Sequence, residues 1–481
     1  MDKVLRLLGM RYATAALMLV AVAALYGAAT FSRPGEASGQ GRAAPVTHAV
    51  VVCPGHEGGR LAVQSLPRKG TGRVDMTPTK GGPPFASMTA SGQAWGEDTK
   101  SGEDSYTLRA TGALAAGLEA EQTTHWGAGP DRGLAGARCA VPGTDLWFMS
   151  PGPVSADELD LYLTNVDAQP ASVDLSALSG EGPLDTAEGL ATPVAPYTTR
   201  VVKLGDSAEG LGDIVKSAAD LTLRVRTTSG RVAASLRARI GEKKGIEWLP
   251  QSGGPATSVL VPGVPGGDGQ RRLLVSVPGD ADARIKVQVI TSGGAFAPQG
   301  QDVLDAPAKT VTSVPLTGAL SGKAAAVRLV ADRPVLAGFA ATRGADIAYG
   351  TATAPLAAAG SGVVADNRFD SSLVLTAPYG AAAVQVTTVN AAGRSGPQEV
   401  RVPAGRTVET ELTPPGTDPK DGTAFGAVIT VKPGSAPVYA SRTLAKGKGD
   451  GYLFTILPIM PAATTVHLPD TADSQTALTP G

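Results

Sequence analysis

Aromatic side chains are scarce in this 481-residue chain, at 4%. A core built without them relies on small aliphatic residues that bury less area each, so adequate stability needs many strands. Net charge is nearly absent as well: 42 basic and 43 acidic residues leave −1, which removes the electrostatic case for a nucleic-acid partner. Histidine is limited to His48, His56, His125 and His467. The pair His56-Glu57 begins like a zinc-protease helix, but Arg60 stands where the second ligand belongs, so a surface turn is the reading. No G-x-S-x-G elbow occurs, and no serine matches a histidine and an acid in a known order. The stretch Leu316 to Lys323 has the look of a phosphate loop, yet its glycines are one residue too close and Ala324 replaces the magnesium-binding hydroxyl. No catalytic residue, cofactor or metal is therefore assigned, and a non-enzymatic role is expected. Paired carboxylates for glycoside hydrolysis stay open, because their separation is a property of the fold.

Only two cysteines are present, Cys53 and Cys139. On the exported side of a membrane they are expected to form a disulfide, closing a loop worth roughly 4–5 kcal/mol in the chain-entropy model. Two isolated thiols are the alternative. A bridge between positions flanking the first module suits a compact array or closed ring better than a string of beads.

Export is read from the amino terminus. Lys3, Arg6 and Arg11 precede Tyr12 to Phe31, a run without charge. About 20 residues at ~1.5 Å each match a hydrocarbon core, and the leading basic residues place residues 1–11 in the cytoplasm. The expectation is a single-pass membrane protein with its bulk extracellular. The alternative is secretion after cleavage near Gly27-Ala28-Ala29. Residues 32–47 are Gly-, Ser- and Pro-rich and read as a flexible linker.

Glycine at 61 and proline at 37, with abundant Val, Thr and Ala, favour short strands and turns. Three segments share one order of features. Apolar strands start at Leu161, Leu273 and Leu373, and ten residues on, Ala171, Ala283 and Ala383 open a second strand. Proline-led strands follow from Pro196, Pro307 and Pro403, and late valine strands centre on Val232, Val335 and Val438. The unit is about 100 residues, and alternations such as Ile285, Val287, Val289 have the period of half-buried strands. The fold class is all-β: three to four antiparallel sandwich-like repeats, with a β-propeller as alternative. The expected modules are 48–140 (degenerate, with a mobile insert at 67–104), 141–252, 253–357 and 358–461, then a closing strand and tail at 462–481.

Asp268 within Pro265 to Gly269, Asp366-Asn367 with Asp370, and Asp145 occupy matching loops. They read either as turns or as a cation site, which needs three or more converging oxygens. Trp147, Phe148 and Trp248 sit at unit junctions and read either as packing between modules or as a platform for a sugar or a partner protein.

The charged start, the apolar run, Cys53-Pro54-Gly55, the stretch Arg138 to Phe148 and Glu247-Trp248-Leu249-Pro250 together resemble an uncharacterised actinobacterial family of membrane-anchored secreted proteins. The resemblance covers almost the full chain and implies localisation and fold class, without an activity. The expected function is that of a membrane-tethered structural or interaction protein of the cell envelope, contacting a wall polymer or an envelope protein. Two alternatives stand beside it: a carbohydrate-binding or carbohydrate-active protein, and an accessory subunit of an envelope polymer-synthesis or export complex.

Overall fold

The computed structural model describes residues 18–24, 42–55, 57–102, 105–184, 186–241, 244–391, 393–416 and 424–468. The chain divides into two units, residues 1–45 with 465–481, and residues 46–464. In the first unit Arg42–Pro45 pairs antiparallel with Thr465–Leu468, and residues 18–24 are helical. The rest of the expected membrane span, most of the linker and the tail beyond 468 lie outside the described residues. Among the described residues no helix is long and apolar enough to cross a membrane.

The second unit is all-β. In its first module His48–Cys53, Tyr106–Gly112, Gly72–Pro78 and Ala86–Met88 form one antiparallel sheet in that order. Ala94–Ser101, Glu57–Gln64, Glu119–Trp126 and Gly133–Arg138 form the other. Val51, Leu61, Val63, Val74, Met76 and Leu108 fill the space between them. Residues 67–104 are thus no inserted loop: they carry three strands. Val74, Met76 and Met88 supply the inward face, but flanking Gly, Lys and Pro dilute the alternation that marks it. The disulfide between Cys53 and Cys139 closes this module, beside the bridge between Val52 and Ala140.

The three leucine-led segments pair alike. Ala156–Asn165 lies between Thr198–Lys203 and Ala233–Ile240; Arg271–Val277 between Thr310–Pro315 and Ala325–Arg343; Asp370–Ala377 between Arg406–Glu411 and Tyr439–Lys446. In the facing sheets Ala171–Ser179, Ala283–Thr291 and Ala382–Asn390 hold the equivalent place. Each module encloses its own apolar core. Asp220–Ser229 and Ala233–Ile240 are separate strands in the second module, whereas Ala325–Arg343 runs unbroken through both sheets of the third. The sheets are open and none closes on itself, and each module has two of them. The propeller alternative, which requires one sheet per blade, does not hold.

The last strands of the four modules, Gly133–Arg138, Gly245–Leu249, Asp346–Thr351 and Leu453–Ile459, meet. The first touches the second and the fourth, and the third touches the same two, so the contacts form a circuit. Close approach depends on missing side chains. A Cβ on Gly136 would lie 2.7 Å from Leu457 Cδ1, and one on Gly245, at φ +75°, would fall on the Arg132 carbonyl oxygen. The first and fourth modules are locked by charge. Arg442 is fully buried; it donates to Glu121 Oε2 at 2.9 Å, to Asn367 Oδ1 at 3.1 Å and to the Asp366 carbonyl. The Asp366 amide donates to the same Glu121 oxygen at 2.9 Å. Removing one partner of such a pair strands the other charge. Arg442→Met is expected to lower unfolding free energy by about 3–5 kcal/mol in urea titrations, and adding Glu121→Gln to recover part of it. A single substitution without effect would show that this junction does not hold the modules together.

Candidate binding cleft between the third and fourth modules

An opening of about 770 Å³ lies between the third and fourth modules. Its floor follows from strand register. Leu373 and Leu375 point into the core, so Ser372 and its neighbours on the other face point out. Ser372 stands opposite Glu411, with Glu409 two residues on. Asp370, Ser372, Glu409 and Glu411 therefore share one outward face, where Ser372 Oγ donates to Glu409 Oε1 at 3.1 Å. One end is sealed by the Thr407 hydroxyl, which donates to the Ile290 carbonyl at 2.7 Å. At the other, Ala445, Phe454 and Ile456 of the same face are absorbed into the core of the third module.

The opposite lip is made of two loops, Pro265 to Gly267 and Gly322 to Ala324, tied by the Gly267 amide donating to the Gly322 carbonyl at 2.8 Å. Buried Arg271 holds the first loop from beneath. Its guanidinium donates to the carbonyls of Pro265, Gly266, Gly267 and Asp268 at 2.9, 2.6, 3.1 and 2.6 Å. Burial, with Arg343 nearby, pulls its pKa down from the usual arginine value. Arg343 lies over the Tyr452 ring, 4.1 Å from its centroid, and donates to the phenol oxygen at 3.1 Å. Burial raises the Tyr452 pKa, with Arg343 opposing.

The residues singled out by sequence scatter. Asp268, Gly322, Lys323 and Asp370 do meet here, at the two lips. Asp366 instead faces the first module, where it accepts from Thr123, and Asn367 is held within its own module by the Phe425 carbonyl and Arg442. Asp145 is clamped by Arg224, at 2.8 Å for each oxygen. The three loops thus build no common cation site, and among the described residues no group of three or more His, Cys, Asp or Glu is placed to hold a metal. His56 lies outside the described residues. Trp147, Phe148 and Trp248 form no partner surface, being only 7%, 1% and 4% exposed. Trp147 packs with Met149 against Leu274, Val311 and Leu336 of the third module. Phe148 belongs to the core of the second, and Trp248 meets Tyr162, Ala135 and Ala137 across the first junction. The outward face of one module is the inner face of the next contact. The sequence reading missed Glu409, Glu411, Arg343 and Tyr452. The signal for the acids was there: the alternation Thr407, Glu409, Glu411 continues the strand recognised from Pro403.

A second carboxyl group of residues sits where the four last strands meet, fully enclosed. Glu247 Oε1 accepts from Thr455 Oγ1 at 2.9 Å and from the Trp248 amide at 3.0 Å, while Oε2 is buried without a hydrogen-bond partner. Burial, then the charge of Asp346, raises its pKa well above the ordinary glutamate value. Asp346 accepts from the Phe454 amide at 2.7 Å, and burial pushes it up to about 7 against the pull of that amide, the Ile347 amide and Arg132. Glu121, at the first–fourth junction, is likewise raised to about 7 by burial, with Arg442 opposing.

A profile described as a family of unknown function (DUF5719) matches residues 94–413, well over half of the chain, and the chain belongs to that family. The matched stretch includes the glycine lip and both Glu409 and Glu411. No curated protein and no solved structure matches the chain.

These raised acids, together with Glu119, which burial also raises against Arg138, make stability depend on pH. Their folded pKa values exceed the unfolded ones, so the folded state binds more protons in between; for Glu121 and Asp346 the stabilisation present below about pH 4 is lost as pH rises through about 7, and Glu247 adds a loss of the same sign. Urea midpoints are expected to fall over that window, by an amount on the order of 3 kcal/mol in unfolding free energy for each of Glu121 and Asp346. Glu247→Gln, which stays neutral, should flatten the slope. Stability that climbs between pH 5 and 7 would contradict this assignment of proton uptake.

Proposed function

We propose that the protein is a membrane-tethered interaction protein of the cell envelope, a rigid array of β modules that holds an extracytoplasmic partner in the cleft between the third and fourth. The observation that carries it is the open junction: apolar side chains pack the other three junctions, leaving an opening of only about 210 Å³ where the first, second and fourth modules meet, whereas the junction between the third and fourth keeps a cleft of about 770 Å³ with a preorganised lip. Export is supported by the basic residues ahead of the uncharged run Tyr12 to Phe31 and by the disulfide, which suits an oxidising compartment. The recurring strand pairing of the last three modules supports a repeat origin.

A second reading is a carbohydrate-active site. Glu409 and Glu411 stand two residues apart on one strand, about 7 Å in the extended chain, which falls in the range used by glycosidase carboxylate pairs. Phe369 and Tyr452 flank them. Turnover of a wall glycan that disappears in both Glu409→Gln and Glu411→Gln would favour this reading over pure binding.

The main reading is tested in intact cells. A photo-crosslinking residue at position 372 is expected to capture envelope material, whereas one at exposed Val154, away from the cleft, is not. A membrane-impermeant amine reagent is expected to label the lysines after position 45. Protection of those lysines until the cells are lysed would overturn the extracytoplasmic placement.

A further inference from the structure

At three junctions of the four-module circuit a guanidinium crosses to a carboxylate of the neighbouring module. Arg237 of the second reaches Asp131 of the first at 3.6 Å. Arg272 of the third takes both oxygens of Asp220 of the second, at 2.9 and 3.2 Å, and Arg442 of the fourth holds Glu121 of the first. The junction between the third and fourth modules breaks this pattern. Among the described residues no ion pair crosses it, although both walls carry charge. Lys323, Arg343 and buried Arg271 stand on the third-module side, and Asp370, Glu409 and Glu411 on the other. Lys323, Asp370, Glu409 and Glu411 enter no ion pair with any described residue.

Opposite charges that line one cleft and do not pair are held apart by the fold. Arg271, clamped by four loop carbonyls, keeps the glycine lip in place and is itself without a carboxylate partner in an ion pair. The register of Asp370–Ala377 with Arg406–Glu411 fixes the acidic strip. Arg343 stacks on Tyr452 and forms no ion pair with a described acid. A neutral ligand would leave both sets of charges without complement, and a ligand of one sign would face repulsion from one wall. We propose that the cleft binds an extended peptide carrying both carboxylate and ammonium groups, its acids toward Lys323 and Arg343 and its amines toward Asp370, Glu409 and Glu411. This rests on the reading of the cleft as the binding site and names the chemistry of its ligand.

Isothermal titration of residues 46–464 within the full chain, purified in detergent, separates the possibilities. The probes are the tripeptide Glu-Ala-Lys with free termini, acetylated and amidated trialanine, and the neutral sugar chitotetraose. The zwitterionic tripeptide is expected to bind. Its affinity should fall about tenfold in the double variant Glu409→Gln/Glu411→Gln and in Lys323→Ala, and should weaken as salt is raised. Both variants change exposed side chains, and an unchanged thermal midpoint confirms that they fold. Chitotetraose binding that survives the same substitutions would overturn the charged-peptide assignment while leaving an envelope-binding cleft intact. Failure of the tripeptide together with continued crosslinking from position 372 would also refute the ligand class alone. Loss of crosslinking from position 372 in the native protein would instead strike at the cleft itself.

Discussion

Everything in the second unit is organised by the junction at which four edge strands meet. Edge strands expose unpaired backbone groups and are a liability unless covered. Here Gly133–Arg138, Gly245–Leu249, Asp346–Thr351 and Leu453–Ile459 bury one another, so each module covers the weakest edge of two others. Small residues make the approach feasible: a Cβ on Gly136 would meet Leu457 of the fourth module at 2.7 Å, and one on Gly133 would meet the Ile246 carbonyl of the second at 3.0 Å. The price is that polar groups on these strands lose water. Glu247 answers by accepting from Thr455 and the Trp248 amide, and Asp346 by accepting from Phe454, contacts that bind the second module to the fourth and the third to the fourth.

Charge does the remaining work of holding modules in register. Buried ion pairs contribute little net stability against apolar packing, but a wrong alignment would strand a charge in the interior, so they discriminate strongly against misassembly. That logic suits a chain whose neighbouring modules resemble one another and risk docking in the wrong order. The link between Glu121 and Arg442 spans 321 positions, and it can form only after the whole second unit has been made. The disulfide acts at shorter range, fixing the first module through a separation of 86 before the fourth arrives.

The regular part of this architecture was legible. Leu161, Leu273 and Leu373 fall in equivalent strands because alternation and turn residues are local signals. The strands of residues 67–104 were hidden because their inward residues are two methionines and a valine spaced among Gly, Lys and Pro. The sites were harder. A residue such as Trp147 has an outward-facing position in its own module and becomes buried only through Leu274 and Leu336, more than 100 positions away. Glu121 and Arg442 are likewise unremarkable in sequence and acquire meaning only when the ends of the circuit meet. Local pattern determines which face of a strand a side chain occupies, while contact between modules determines whether that face is surface.

This distinction explains why the cleft lies where it does. Each four-stranded sheet presents an outward face that its neighbour must cover. On the fourth module the half bearing Ala445, Phe454 and Ile456 is covered, whereas the half bearing Asp370, Ser372, Glu409 and Glu411 is not. The third module cannot close over it, because its Ala325–Arg343 strand runs unbroken through both sheets and ties the glycine lip at Gly322 to Ala324 and the side chain of Arg343 to one stiff element. Arg271 stiffens the same lip from below at the cost of burying a charge without a carboxylate. A fold selected only for stability would replace that arginine with an apolar side chain and let the loops settle onto the acidic strip. Retaining it keeps two charged walls apart, which is the arrangement expected when their complement arrives from outside.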